Sequence, residues 1–107
     1  MTFFDEQLKK GSFHICFCKN CKENLWPVRE ICNICNEKTH WRESMNVGKI
    51  IEFSKKDSFY FGIIELDEKI RIMGKIMSKN EPEIGQIVTM NAFFDKRPHY
   101  LFTVENN

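Results

Sequence analysis

The sequence predicts a mainly β protein with a short N-terminal helix, a metal-binding ribbon and a five-stranded barrel. Two CxxC pairs lie close together in the first half of the chain, which is a strong signal for a metal site. From residue 45 onward, apolar and polar residues alternate in short segments, as they do in half-buried strands. The 107 residues, 42% of them hydrophobic, suffice for one compact core. We predict boundaries at 1–12 for the helix, 13–44 for the ribbon and 45–107 for the barrel.

The first residues predict an amphipathic helix over 2–10. Thr2 is a suitable N-cap, and the acidic residues after it favour the positive end of the helix dipole. Phe4 and Leu8 are four residues apart and share a face, with Phe3 beside them. So short a helix is unstable alone, so this face must dock on something. Two interpretations remain open: packing on the chain's own core, or docking into a partner subunit.

The four cysteines of the CxxC pairs are the predicted metal ligands. Two CxxC turns direct four thiolates toward one point, which suits tetrahedral Zn²⁺ and leaves no open position for catalysis. The predicted ion is therefore a structural zinc. Iron accepts the same ligands in a rubredoxin-like site and is the main rival, while two disulfides would need an oxidising compartment. Cys16 is predicted to be a strand residue, and His14 is a weaker candidate ligand. The predicted ligands are Cys18, Cys21, Cys32 and Cys35.

The rest of the ribbon predicts short strands. Residues 13–17 alternate and lead into the first CxxC pair, and 22–31 predict a hairpin. Lys22 and Asn36 directly follow the two pairs, where metal-binding turns adopt a positive φ. Asparagine tolerates that conformation, whereas lysine is uncommon in it. Trp41 is expected to bridge the ribbon to the barrel.

The second half of the chain predicts a small closed barrel. Five short strands within about 60 residues are typical of an OB fold, with an SH3-like barrel as the alternative. Glycines inside the strands fit the bends that a small barrel needs. The polar segments 54–58 and 94–99 are predicted to be loops. The predicted strands are 47–53, 59–66, 70–77, 86–93 and 100–104.

Composition and motif content restrict the function. Sixteen basic and 15 acidic residues give a net charge of +1, whereas a nucleic-acid-binding domain usually has a basic face. The chain has no apolar run that could span a membrane and no signal peptide, so we expect a cytoplasmic protein. The three histidines are scattered and no catalytic motif is present, so we expect that the chain is not an enzyme.

The combined pattern resembles the acyl-CoA-associated family of rubredoxin-like zinc-ribbon/OB-fold proteins. The resemblance implies a non-catalytic, zinc-binding scaffold or accessory subunit of an acyl-CoA-handling, thiolase-type complex. The implied partners are acetoacetyl-CoA thiolase and hydroxymethylglutaryl-CoA synthase, with CoA at a shared interface. The residues that carry the resemblance are 4–11, 18–21, 27–29, 32–35, Trp41, 48–50 and 84–88.

Three groups of side chains are candidates for binding. The alternative function is binding of single-stranded nucleic acid by the barrel, through stacking aromatics and cations. The candidate partner contacts are Phe3, Phe4, Leu8 and Trp26. The candidate contacts to phosphates of CoA or nucleic acid are Lys55, Lys56, Lys96 and Arg97. The candidate nucleic-acid residues on the second and third barrel strands are Phe59, Phe61, Arg71 and Lys75.

Overall fold

A computed structural model of the protein describes residues 2–67 and 70–104. One helix precedes a three-stranded sheet and a closed five-stranded barrel, which confirms the predicted fold class. The outer limits of the predicted parts, residues 1 and 107, lie outside the described residues. No helix in the described ranges is long and apolar enough to cross a membrane. The elements are α1 (Phe3–Lys9), β1 (His14–Cys18), β2 (Glu23–Leu25), β3 (His40–Glu43), β4 (Val47–Lys56), β5 (Phe59–Leu66), β6 (Ile70–Met77), β7 (Ile87–Asp95) and β8 (Arg97–Val104).

Helix α1 begins at the N-cap that its sequence predicts, and its packing decides between the two open interpretations. The Thr2 Oγ1 atom accepts a hydrogen bond from the Asp5 N–H at 3.2 Å and caps the helix. The chain leaves the helix through Gly11, whose φ is +83°. Phe4 and Leu8 are buried in the main core of this chain. The apolar face of α1 therefore packs on the protein's own ribbon and barrel.

Strand β1 is the centre of the ribbon and separates two clusters of buried side chains. It pairs with β2 on one side and with β3 on the other, both antiparallel. Phe13 and Ile15 belong to the main core, whereas Cys16 and Cys18 belong to a second cluster with Leu25. Because successive side chains of a strand point to opposite faces, β1 joins the barrel core to the cysteine cluster.

The barrel has the strand order β4-β5-β6-β8-β7, closed by pairing of β4 with β7. All neighbours are antiparallel except β6 and β8, which are parallel. This is the topology of an OB fold. Gly62 and Gly74 lie opposite each other in β5 and β6. A Cβ atom on Gly74 would lie 2.6 Å from the Tyr100 carbonyl oxygen, so this approach requires glycine.

Two polar segments that were predicted to be loops are strand ends instead. β4 continues to Lys56, and β7 and β8 meet at Lys96, so the predicted loops 54–58 and 94–99 are wrong. The physical reason is the turn conformation: Asp57 and Lys96 have φ values of 54° and 66° and reverse the chain tightly. The ladders therefore continue through residues whose polarity alone indicates a loop.

Two sets of contacts hold the ribbon against the barrel. The first is an aromatic joint formed by the rings of Phe4, Phe13, Trp26 and Tyr100. The Phe13 ring centroid lies 5.3 Å from that of Trp26 and 5.7 Å from that of Tyr100 in β8. The Phe4 ring centroid lies 5.7 Å from those of Phe13 and Trp26. The two edge-on pairs, Phe4–Phe13 and Phe13–Tyr100, are favourable beyond simple burial, and the two pairs with Trp26 are tilted. Burial, with a smaller contribution from the Asp5 carboxylate, raises the pKa of Tyr100 to about 12.

The second set of contacts centres on Asp67, which directly follows β5. Its carboxylate accepts hydrogen bonds from the Ser44 hydroxyl and from the Met45 N–H, and its carbonyl oxygen accepts one from the Asn24 side chain. The Arg42 guanidinium lies 3.7 Å from the same carboxylate, whose side chain is 4% exposed. Asp67 of the barrel therefore contacts β2, β3 and the segment that leads out of the ribbon, so the two modules are packed as one unit.

Candidate metal centre and binding surfaces

The four predicted ligands come together at one end of the ribbon. Cys18 ends β1, Cys21 lies in the turn after it, and Cys32 and Cys35 flank a second turn. All four sulfurs lie within 4.8 Å of one another. The Cys18–Cys35 and Cys21–Cys32 sulfurs are 3.5 and 4.0 Å apart. A tetrahedron with Zn–S bonds of about 2.3 Å has edges of about 3.8 Å, so the donor set fits one such ion.

The turns around the cysteines have the geometry of metal-binding knuckles. The Cys21 N–H donates to the Cys18 sulfur at 3.4 Å, and the Asn36 N–H donates to the Cys32 carbonyl at 2.9 Å. Lys22 and Asn36 have φ values of 56° and 62°, so the turn keeps its positive φ at Lys22 although lysine is uncommon in that conformation. The hydrogen bond from the Cys21 amide stabilises negative charge on the Cys18 sulfur, and the second bond closes the turn between Cys32 and Asn36.

The thiols have unequal proton affinities in the absence of a cation. The neighbouring Cys35 thiol and burial raise the pKa of Cys21 to about 12. The Cys21 amide lowers the pKa of Cys18, but burial and neighbouring thiols outweigh it and leave that pKa raised. Hydrogen bonds from the Glu37 backbone and the Asn20 side chain lower the pKa of Cys35 to about 7. A divalent cation would bind all four as thiolates, because its charge lowers the pKa of every coordinating thiol.

Two nearby side chains are not part of the sulfur cluster. Cys16 is buried beside it, with 1% exposure, but does not belong to the group of converging donors. His14 faces Ser12, whose hydroxyl lies 3.4 Å from its Nδ1 atom and donates to Glu43 at 2.9 Å. The structure therefore assigns both residues to the β1–β3 sheet.

Trp41 does not bridge to the barrel, contrary to the sequence expectation. It lies opposite Cys16 in the β1–β3 ladder, so it shares the face of β1 that points away from the main core. Trp26, which follows β2, occupies the bridging position in the aromatic joint. Trp41 is 39% exposed and packs against Phe3, with ring centroids 4.8 Å apart. His14 also contacts Phe3, at 5.4 Å.

Phe3, His14 and Trp41 form what we call the aromatic surface. Of the four predicted partner contacts, Phe3 is 40% exposed, whereas Phe4 and Leu8 are buried and Trp26 is partly buried. A partner that binds this conformation can reach Phe3 but neither Phe4 nor Leu8. Sequence reasoning did not include Trp41 among the contacts, because its exposure depends on the strand register.

The barrel carries a groove between β5, β6 and β8, with a volume of 360 Å³, which we call the barrel groove. Of the candidate nucleic-acid residues, Phe59, Phe61 and Lys75 line it, and the Lys75 ammonium lies 5.1 Å from the centre of the Phe59 ring. Arg71 lies outside the groove and faces Glu65 at 3.5 Å. The structure thus brings three of these four candidates to one place.

The predicted phosphate contacts are all exposed, but they do not share one face. Arg97 lines the barrel groove, and Lys96 lies beside it at the β7–β8 reversal. Lys56 pairs with Phe59, so it is on the groove side of β4. Lys55 pairs with Tyr60 on the opposite face, and its ammonium lies 5.9 Å from that ring.

The fold and site define a class: a two-module β protein in which a four-cysteine ribbon is fused to an OB-type barrel. No family model matches the chain. It is similar to a DUF35 domain-containing scaffold protein of Methanocaldococcus jannaschii, with 36% identity over 89 residues. The match covers 72% of this chain and 63% of the relative, so the chain spans less than two thirds of that relative's length.

A solved structure has the same fold over nearly its whole length. It is a chain of the Ltp2–ChsH2(DUF35) aldolase, which matches with a TM-score of 0.74 and 18% identity. The match covers 95% of this chain and 91% of that chain. At this identity the likeness establishes the fold alone.

Proposed function

We propose that this chain is a DUF35-type, zinc-binding, non-catalytic scaffold or accessory subunit of an acyl-CoA-handling complex. The observation that carries the proposal is the 36% identity to a protein named as a scaffold, over more residues than either module contains. The partners in this proposal are a thiolase-type enzyme and a hydroxymethylglutaryl-CoA synthase-type enzyme, which perform the chemistry. CoA contacts by Lys55, Lys56, Lys96 and Arg97 remain a prediction within it.

The metal in this proposal is one Zn²⁺ held by the four cysteines. Four thiolates close the coordination sphere, so the ion stiffens the ribbon and takes no part in a reaction. Metal analysis of protein purified without added metal tests this point. One equivalent of zinc in a colourless protein is the expected result, whereas one equivalent of iron with a reversible redox step would replace zinc by a rubredoxin-like centre.

The aromatic surface is the proposed contact with a partner enzyme. Exposed, rigid aromatic side chains are enriched at the centres of protein interfaces. The cleft beside it has a volume of 720 Å³ and is lined by Phe3, Val28, Arg29 and Trp41, among others. The Arg29 Nε atom is buried and has no hydrogen-bond partner among the described residues. Because this atom is not accessible, it is not itself a partner contact, and the exposed rings of the aromatic surface carry the proposal.

Copurification of the tagged chain from native extract, with mass spectrometry of bound proteins, tests the scaffold function. We expect thiolase and synthase subunits in constant ratio to the wild-type chain. A Phe3→Asp, Trp41→Asp variant should lose at least one of them, because a charge on this surface opposes burial. Ile84→Asp is the matched control, since it introduces the same charge at an apolar residue that is 70% exposed on the barrel. Equal recovery from both variants would contradict the assigned surface, and absence of both enzymes from the wild-type sample would contradict the scaffold function.

A further inference from the structure

We infer that the barrel groove is a binding site for a free nucleotide, meaning an aromatic base that carries at least two phosphates. The groove is separate from the sulfur cluster and from the aromatic surface. Arg97 lines this groove and is also a predicted CoA contact in the scaffold proposal, but the inference rests on the lining of the groove and needs no partner enzyme.

The first observation is an aromatic platform open to solvent. Phe61 of β5 is 36% exposed, and Phe59 lies beside it on the same face of the strand. A base can stack on such a ring, and stacking is tolerant of base identity because every base has a π-face. Lys75 holds its ammonium 5.1 Å from the Phe59 ring, so a cation already stands at the edge of the platform.

The second observation is the sign of the charges. Lys75 and Arg97 line the barrel groove, and no aspartate or glutamate is among its described lining residues. Each of the other four clefts described on this protein has a carboxylate in its lining: Glu52, Glu30, Asp67, and Asp5 with Glu30. In a chain of net charge +1, this groove is therefore the cleft that suits an anion.

The third observation favours one nucleotide over a nucleic-acid strand. The groove volume of 360 Å³ is in the range of small-molecule sites. Along the same face, Glu65 already pairs with Arg71, and Glu52 lines the neighbouring cleft. A phosphate chain that continued past the groove would meet these carboxylates, whereas a strand-binding surface needs a continuous line of cations.

Isothermal titration of the zinc-loaded, full-length chain tests the inference, with ADP, adenosine and an oligothymidylate as probes. We expect saturable binding of ADP at one site and at least about 10-fold weaker binding of adenosine, because charge-assisted hydrogen bonds to the phosphates are lost. Lys75→Gln and Arg97→Gln should each weaken ADP binding about 10-fold. Phe61→Leu keeps an apolar side chain but removes the ring, so it should weaken binding about 5-fold or more.

Two further variants separate a built site from general charge attraction. Lys49→Gln removes the same charge from an exposed position of β4 outside the groove and should leave ADP binding unchanged. Asp95→Asn, opposite Arg97 in the β7–β8 ladder, should strengthen binding because it removes a nearby negative charge. The inference is overturned by an absence of ADP binding, by equal effects of Lys49→Gln and Lys75→Gln, or by binding of the oligothymidylate alone.

Discussion

Substitution of Cys32 by alanine can isolate the contribution of the metal to folding, because Cys16 offers a matched position. The two cysteines are 0% and 1% exposed and belong to the same buried cluster as Leu25. Both substitutions remove one buried sulfur and leave the same methyl group. Cys32 is in the converging group of four sulfurs, whereas Cys16 is outside it.

The expected losses in folding free energy differ by about an order of magnitude between Cys16→Ala and Cys32→Ala. Loss of a buried sulfur costs about 1 kcal/mol in apolar burial, and this is the whole expected effect of Cys16→Ala. Cys32→Ala also removes a ligand, and a structural zinc contributes on the order of 10 kcal/mol to a small ribbon. The ribbon's own buried cluster consists of Cys16, Cys18, Leu25 and Cys32. Phe13 and Ile15 still anchor β1 in the main core, but so small a cluster cannot offset an ordering cost of about 1 kcal/mol per residue around the cysteines, so we expect this part of the ribbon to unfold.

Tryptophan fluorescence measures this outcome in the ribbon alone. Both tryptophans of the chain, Trp26 and Trp41, lie in the ribbon. Cys32→Ala should lack stoichiometric zinc and show the red-shifted emission of exposed indoles, while Cys16→Ala should keep one zinc and the wild-type spectrum. A wild-type spectrum in metal-free Cys32→Ala, or a full equivalent of zinc in it, would refute this reasoning.

Four further perturbations have defined outcomes. Lys22→Gly should raise the free energy of unfolding by about 1 kcal/mol, because a left-handed conformation costs an L-residue about that much. Asp67→Asn should lower it by about 1.5 to 3 kcal/mol, because buried hydrogen bonds to a carboxylate are lost. Gly74→Ala should lower it by about 1 to 3 kcal/mol through the clash with the Tyr100 carbonyl. Zinc affinity should rise with pH through neutrality, because the Cys21 thiol, with a pKa of about 12, must lose its proton to bind.

Denaturant unfolding measures the free energy of unfolding of the three variants. Competition with a chromophoric chelator at several pH values measures the zinc affinity. Asn36→Gly is the control for Lys22→Gly and should gain less, because asparagine tolerates a positive φ. Asp57→Asn is the control for Asp67→Asn, because Asp57 also has a positive φ but is exposed. An unchanged denaturation midpoint for Gly74→Ala would contradict the close approach of β6 and β8. A zinc affinity that does not change with pH would contradict the loss of a thiol proton on binding.

The parts of the fold that follow from local chemistry were predictable. The CxxC spacing identified all four converging sulfurs. The positive φ of Lys22 could not be predicted from its residue type, because lysine is uncommon in that conformation. Alternating polarity located the five barrel strands, because burial on one face imposes a period of two. Phe4 and Leu8 were identified as the docking face of α1 from their spacing alone.

The errors arose where pairing between distant segments decides the outcome. Polarity placed Lys56 in a loop, whereas the tight reversal at Asp57 keeps it paired in β4. Which tryptophan meets the barrel depends on the register of β2 and β3 against β1, and this register has no local signal. The barrel groove likewise needs the parallel pairing of β6 with β8, which places Arg97 near Lys75 although they are far apart in sequence.

The aromatic joint connects the aromatic surface with the barrel groove. Tyr100 lines the barrel groove and also packs on Phe13 and Trp26 of the ribbon. Phe4 belongs to the same joint and is the neighbour of Phe3, which forms the aromatic surface. A ribbon stiffened by the proposed metal would therefore fix the distance between the aromatic surface and the barrel groove. The proposed scaffold function would need such a fixed distance, because a scaffold holds its bound molecules in a constant relative position.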